Sequence, residues 1–490
     1  MNKNISVLAV ALAGPLIAIL FVAEMLQSAD MLIYISVLVV GTLLLSMIFI
    51  LRQNYWILIP FVLTANAGAI PLGTRTVSLA ELSIPIFAIL FVFYTVIPKG
   101  LKGFLRLENI FVLLYVLWAF IRYLLEDIGL AVLQGTGGGA RAYIKIGLAF
   151  IAFIIIKNQV VDEKRSKWIV GALILAAFIG TAFSLIRYYL GLGGMAYIAE
   201  ESGSFYTWHQ SLALIPVLLI PCIFAKWSPG ELLKGFRFLP IILLVGLYVA
   251  AAVSGKRAVL MACLLAPLFA SFLRREVVLF LTGVLGLFIT CVMIVYLSFS
   301  FSLPLTVQRS MAWLPGDWSN EVINDTDNSY RDTLNTFALI EIDKNPYLGS
   351  GFKITASDVY LLKDFQVLNQ LKHEWEHAGA FASAYAGNYH STWLGISATL
   401  GIPAALLIGL MYMQGLVLGI KQVKRFEFGS SMSVLVQVVT YMLLVSLARS
   451  FTSGHAAESY LSMCWMLGLL FSIRNSHLPE KPNIILNKES

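Results

Sequence analysis

Val277-Val-Leu-Phe-Leu-Thr-Gly-Val-Leu-Gly-Leu-Phe-Ile-Thr-Cys-Val-Met-Ile-Val-Tyr-Leu-Ser-Phe-Ser-Phe301 runs for 25 residues without a charge, directly after Arg274-Arg275-Glu276. About 20 apolar residues in a helix cross the hydrocarbon core of a bilayer, so this stretch reads as a transmembrane helix entered from a charged edge. The pattern recurs. Apolar segments bounded by charges or turn residues fall near 5–26, 31–51, 54–72, 78–97, 108–124, 142–158, 168–190, 210–225, 237–255, 257–273, 277–301, 390–418, 432–448 and 457–474. The expected fold is an all-α polytopic membrane protein of about 12–14 transmembrane helices. The third segment carries Pro60, Gly68 and Pro71, which marks it as a re-entrant candidate.

Composition agrees. Of 490 residues, 59% are hydrophobic and 12% charged, against about 25% charged in an average soluble domain. A cytosolic enzyme, a secreted disulfide scaffold and a free nucleic-acid binder are excluded. The net charge of +7 is what cytoplasmic helix ends require rather than a nucleic-acid signal. Cys222, Cys263, Cys291 and Cys464 all lie in apolar runs without paired spacing and read as packing residues. The apolar stretch after Lys3 is expected to be a retained helix.

With the N-terminus inside, the inner loops hold 20 of the 34 basic residues, and each has at least one. The long segment 302–389 then falls outside, and it carries 11 acidic against 6 basic residues. Both termini are therefore predicted to be cytoplasmic and the large loop periplasmic. The rule leaves Arg75, Arg122, Arg141, Lys145, Arg187, Lys256, Arg257 and Arg449 unexplained near the outer face. Such cations line a cavity, meet an anion or snorkel to headgroups; snorkelling is the alternative for each of them and the favoured reading for Arg75, Arg122, Arg187 and Arg449. In this topology Arg141, Arg257 and His390 stand at the outer starts of inward-running helices, where free N–H groups favour an anion such as pyrophosphate.

His390-Ser-Thr-Trp-Leu-Gly-Ile-Ser-Ala-Thr-Leu-Gly401-Ile-Pro403 resembles the His-containing motif of the O-antigen ligase and O-antigen polymerase family. Ser254-Gly-Lys-Arg257 is similar to that family's turn into a helix. Arg331, followed by Asp343-Lys-Asn-Pro346-Tyr-Leu-Gly349-Ser-Gly351-Phe, resembles its loop element, and Phe205-Tyr-Thr-Trp-His209 resembles a further loop-to-helix turn. The likeness covers roughly residues 210–420. It implies a GT-C-like membrane glycosyltransferase that moves a polyprenyl-pyrophosphate-linked glycan to an acceptor, either lipid A core or another lipid-linked repeat. His390, Arg257 and Arg331 would be catalytic; Arg141, Lys145, Lys256, His209 and Tyr206 would bind substrate. Inversion without metal or cofactor is implied, with a chain-length regulator or a flippase as candidate protein partners and the bacterial inner membrane as the location.

The expected organisation is 1–209, N-terminal helices; 210–301, central helices with the Arg motif; 302–389, periplasmic loop; and 390–490, C-terminal helices and cytoplasmic tail. Two other classes remain open. A lipid-linked glycan flippase would also need many helices and edge cations. His373-Glu374-Trp-Glu-His377 formally matches the H-E-x-x-H zinc signature, although Glu376 and the nearby Gly379 speak against a metalloprotease helix. Gly135-Thr-Gly-Gly-Gly139 before Arg141 reads as a flexible loop or a phosphate-approaching turn. The loop aspartates Asp317, Asp325, Asp327, Asp332, Asp358 and Asp364 read as sugar-binding groups or as ordinary solvated surface.

Overall fold

The structure, a computed structural model, describes residues 51–65, 69–72, 75–99, 110–125, 139–189, 212–234, 238–312, 314–320, 322, 329–352, 389, 391–451 and 456–477. A 3-10 turn, Arg52–Ile57, leads into α1 (Leu58–Ala65). A short antiparallel hairpin follows, β1 (Ala69–Leu72) with β2 (Arg75–Ser78), in which Ala69 faces Ser78 and Leu72 faces Arg75. The remaining described elements are helical: α2 (Leu79–Phe91), continued by a π-helical stretch Val92–Val96 and the turn Ile97–Lys99, α3 (Ile110–Leu124), α4 (Ala140–Lys157), α5 (Glu163–Tyr189), α6 (Leu214–Lys226), α7 (Pro229–Lys234), α8 (Phe238–Val253), α9 (Arg257–Arg274), α10 (Val277–Ser300), α11 (Leu305–Met311), α12 (Ser329–Lys344), α13 (Thr392–Leu400), α14 (Ile402–Val423), α15 (Ser431–Ser450) and α16 (Ala456–Ser476).

Among the described residues six helices are long and apolar enough to cross a membrane, and three shorter apolar helices join them. The protein is a polytopic, helical membrane protein. Within α10 only Ser298 is buried. Val278, Leu281, Phe288 and Tyr296 form one exposed apolar face of that helix, and hiding each such side chain from water is worth about 1.5–3 kcal/mol. A helix this apolar all round, and this uncovered by protein, has lipid as its solvent.

Two expected spans change form. The segment predicted at 54–72 ends as a helix at Ala65 and gives way to the hairpin, so its described helical part stops short of the predicted end. The one predicted at 390–418 is two helices, α13 and α14, parted at Gly401. Among its described residues, the predicted loop 302–389 holds two helices, α11 and α12. The first predicted span and nearly all of the second lie outside the described residues.

The core is built where α4 and α16 lie against each other, with Phe153, Ile156, Met463, Leu467 and Leu470 all buried. Helix ends are tied to neighbouring elements. The Glu163 carboxylate accepts from Ser431 N at 2.8 Å and Met432 N at 3.3 Å, capping the start of α15. Arg274 donates to the Phe224 and Ala225 carbonyls at the end of α6, and Lys226 donates to Gly429 O. Basic residues that the charge pattern assigns to inner loops thus satisfy helix C-terminal and loop carbonyls.

Candidate functional site

The large loop is fastened at two described places. At its start, the Ser254-Gly255-Lys256 turn joins α8 to α9: Ser254 Oγ donates to Ala251 O at 2.7 Å, and Lys256 becomes the N-cap of α9. Arg257 is therefore the first residue of α9. Its Nε donates to the Arg309 carbonyl at 3.0 Å, while Ser310 Oγ donates to Ala252 O at 2.8 Å. Helix α11 thereby sits directly on the Arg257 turn.

The second fastening is Pro346–Gly351, which docks through its main chain on the α13–α14 break. Ser350 N donates to Ala398 O at 2.7 Å, Gly351 N to Thr399 O at 2.8 Å, and Ile402 N to Pro346 O at 2.8 Å. These carbonyls lie in the last turn of α13, where intrahelical partners run out. The approach requires glycine. Gly401 has φ +86°, and a Cβ there would overlap the Tyr347 carbonyl; one at Gly349 would overlap the Thr399 carbonyl. Trp118 Nε1 adds a 2.8 Å bond from α3 to Leu400 O. Trp118→Phe is expected to lower stability by about 1 kcal/mol, the usual worth of one such bond, read as a modest drop in thermal unfolding temperature; an unchanged temperature would count against this bond's role.

Helix α12 packs on α13 through Leu334, Ala338, Ala398 and Tyr389. Arg331 lies in the first turn of α12. Ser391 is the N-cap of α13, its side chain accepting from Leu394 N, so the helix begins at Thr392, two residues after His390. His390 itself, Tyr206, His209, the aspartates at 325, 327, 358 and 364, and the His373–His377 match lie outside the described residues. Among the described residues no His, Cys, Asp and Glu cluster could hold a metal ion.

Arg141 is the second residue of α4, as expected, but it does not stand there as an isolated cation. Its Nε and one terminal nitrogen each donate to a different oxygen of Glu81 at 2.6 Å, and both side chains are about nine-tenths buried. Glu81 also closes the start of α2, accepting from Ser78 N at 2.7 Å while Ser78 Oγ accepts from Glu81 N. Lys145, one turn after Arg141 and equally buried, acts electrostatically on the same carboxylate. Glu81 was missed in the sequence reading, although Ser78 and Glu81 have the spacing of a capping box. Tyr143, next along α4, meets Phe352 edge-on at 5.1 Å, which sets this end of α4 beside the docked loop segment. The partners given to Arg141 and Arg257 therefore differ: a carboxylate for one, the covering helix α11 for the other.

Residues 239–409, about a third of the chain, match the family model described as O-antigen ligase. They include the Arg257 turn, the loop and the whole of α13. The match supports the O-antigen ligase and polymerase family, to which the sequence motifs point, and with it a membrane glycan-transferring role in polysaccharide biosynthesis. No curated protein matches the chain.

Proposed function

We propose, taking the O-antigen ligase match as premise, that this protein transfers a polyprenyl-pyrophosphate-linked glycan to an acceptor sugar at the periplasmic face of a bacterial inner membrane. The acceptor is either lipid A core or a second lipid-linked repeat. The observation that carries this reading is the placing of Arg257 at the free N-terminus of α9 beneath α11, inside the matched segment. A helix N-terminus with an attached guanidinium favours phosphate oxygens.

In the proposed step an acceptor hydroxyl oxygen attacks the anomeric carbon of the donor, and the bond from that carbon to the pyrophosphate oxygen breaks. His390 takes the hydroxyl proton, since an imidazole titrates near neutrality. Arg257 holds the departing diphosphate, and Arg331 joins from the loop. Lys256, at the N-cap of α9, adds a further cation; Tyr206 and His209 would contact glycan. Arg141 and Lys145 are read as binding through a site that Glu81 neutralises only in part. The transfer proceeds with inversion and without metal. The chain would divide at 209, 301 and 389 into N-terminal helices, central helices, periplasmic loop and C-terminal helices, with both termini cytoplasmic.

Purified protein incubated with a polyprenyl-pyrophosphate oligosaccharide, with and without lipid A core, separates the outcomes on a gel. A ladder without core identifies a polymerase, and a shifted core band a ligase. Neither product from folded protein overturns the reading. His390→Ala and Arg257→Ala are each expected to lower transfer about 100-fold or more. Arg257→Lys should also impair it, because an ammonium keeps the charge and loses the fork.

A further inference from the structure

Tyr389 directly precedes His390 in the chain and belongs to no helix or strand. Chain between elements generally runs over the surface, yet Tyr389 keeps only 3% of its own surface. It is buried in a cluster with Leu334 and Ala338 of α12 and Ala398 of α13, with Phe337, Ile342 and Leu394 packed at the edge. Leu334, Phe337, Ala338 and Ile342 recur at the spacing of one helical face. Among the described side chains of α12, Leu334 and Ala338 are the two that are buried. Helix α12 therefore has one narrow apolar stripe, and Tyr389 is the largest buried side chain in the cluster that covers it.

The place of Tyr389 along α13 gives that burial a consequence. The main-chain seat of Pro346–Gly351 fastens the chain after α12 to the last turn of α13 and to Ile402. Tyr389 stands at the opposite end of α13, before its N-cap. A helix fastened at one end can swing, and a packed contact toward the other end fixes its direction. The chain beyond His390 is held as well. Ser391 caps α13, and Thr392 Oγ1 shares a 3.0 Å hydrogen bond with Ser459 Oγ of α16. Arg331 lies on α12 one turn before Leu334. One buried cluster thus joins the helix that carries Arg331 to the residue next to His390, although most of the large loop separates them in sequence.

We propose that Tyr389 is a positioning residue for the transfer reaction: by packing into the α12–α13 cluster it sets the chain at His390 relative to the helix that carries Arg331. This rests on the glycan-transfer reading above. Tyr389 acts through its neighbours; it touches no substrate and moves no proton. A misplacement of about 1 Å at a reacting group costs on the order of 100-fold in rate, so loss of this ring is felt in kcat and not in folding alone.

The test uses the full-length protein in nanodiscs, as wild type, Tyr389→Phe, Tyr389→Leu, Tyr389→Ala, Leu334→Ala and the double alanine variant. Leu467→Ala, in the core between α4 and α16, is the control for general loosening. Transfer is measured against donor concentration below each variant's unfolding transition. Tyr389→Ala and Leu334→Ala are each expected to lower kcat about tenfold or more with donor KM within about threefold. The double variant should lose little beyond the worse single one, because both changes break one contact. Tyr389→Phe keeps the ring and should stay within about twofold of wild type. A folded Tyr389→Ala protein with kcat within about twofold of wild type overturns the proposal, and so does an equal loss in Leu467→Ala. If Tyr389→Ala does not fold, Tyr389→Leu carries the same comparisons. A second readout needs no activity. Nitroxides on Arg331→Cys and His390→Cys, with Cys291→Ser removing the native thiol that is not buried, should give a narrow distance distribution that Tyr389→Ala broadens. A distribution already broad with Tyr389 in place, or one of unchanged width in the variant, overturns the proposal whatever the kinetics. Should wild type transfer no glycan, the functional reading falls; broadening by Tyr389→Ala would still uphold the tether between the two chain positions, and its absence would remove both.

Discussion

Gly401→Ala is expected to yield a protein that does not reach a stable fold, seen as aggregation on size exclusion in detergent and loss of a cooperative thermal transition. Two independent costs act at that position. Backbone at φ +86° and ψ 164° is open essentially to glycine alone, and a methyl group would have to occupy space already filled by the Tyr347 carbonyl. Relief requires Pro346–Gly351 to lift away, which breaks the bonds from Ser350 and Gly351 and to Pro346 and leaves buried carbonyls without partners. Together these exceed about 4 kcal/mol, the range reserved for severe core defects. Gly147→Ala provides the contrast. That residue lies inside α4, with nothing within 4 Å of an added Cβ, so its unfolding temperature should hold or rise, since alanine is favoured over glycine in helices. A Gly401→Ala protein with the wild-type transition would refute the docking geometry.

Glu81→Ala should be the next most damaging change, by about 3–5 kcal/mol, because it leaves Arg141 buried opposite an empty place and keeps Lys145 beside it. It also removes the capping box that begins α2. Replacing both partners by apolar side chains, Glu81→Leu with Arg141→Met, is expected to recover only part of the stability, because Lys145 stays buried without its carboxylate and the capping box remains lost. The two variants also separate two roles for Arg141. If the double variant is stable and transfers glycan normally, Arg141 is architectural; if it is stable and inactive, Arg141 contacts substrate as well. A Glu81→Ala protein unfolding within a degree of wild type would show that the ion pair contributes little.

The membrane class was legible because a bilayer imposes length and polarity on every span, and the run at 277–301 meets both requirements without reference to any neighbour. The helix starts at Arg141 and Arg257 were legible for a similar local reason: glycines and small residues precede a resumed apolar run. The break at Gly401 was not. Leu400-Gly401-Ile402-Pro403 continues the apolar pattern on both sides, and what divides it is a distant segment, Pro346–Gly351, whose bonds form only after folding. Pro403 at the second position of α14 is the local trace of that restart. Glu81 was hidden for the opposite reason. Its capping-box spacing is local, but its fork partner lies 60 residues onward, a separation that hydropathy does not encode.

The seat that receives the loop at the end of α13 is made of peptide groups. Ala398 and Thr399 offer carbonyls, Ser350 and Gly351 offer N–H groups, and Pro346 returns a carbonyl to Ile402. Such a mount is blind to most of the side chains it carries. Provided the glycines stay, most side chains of the insert can be exchanged while its attachment to the helical body stays the same.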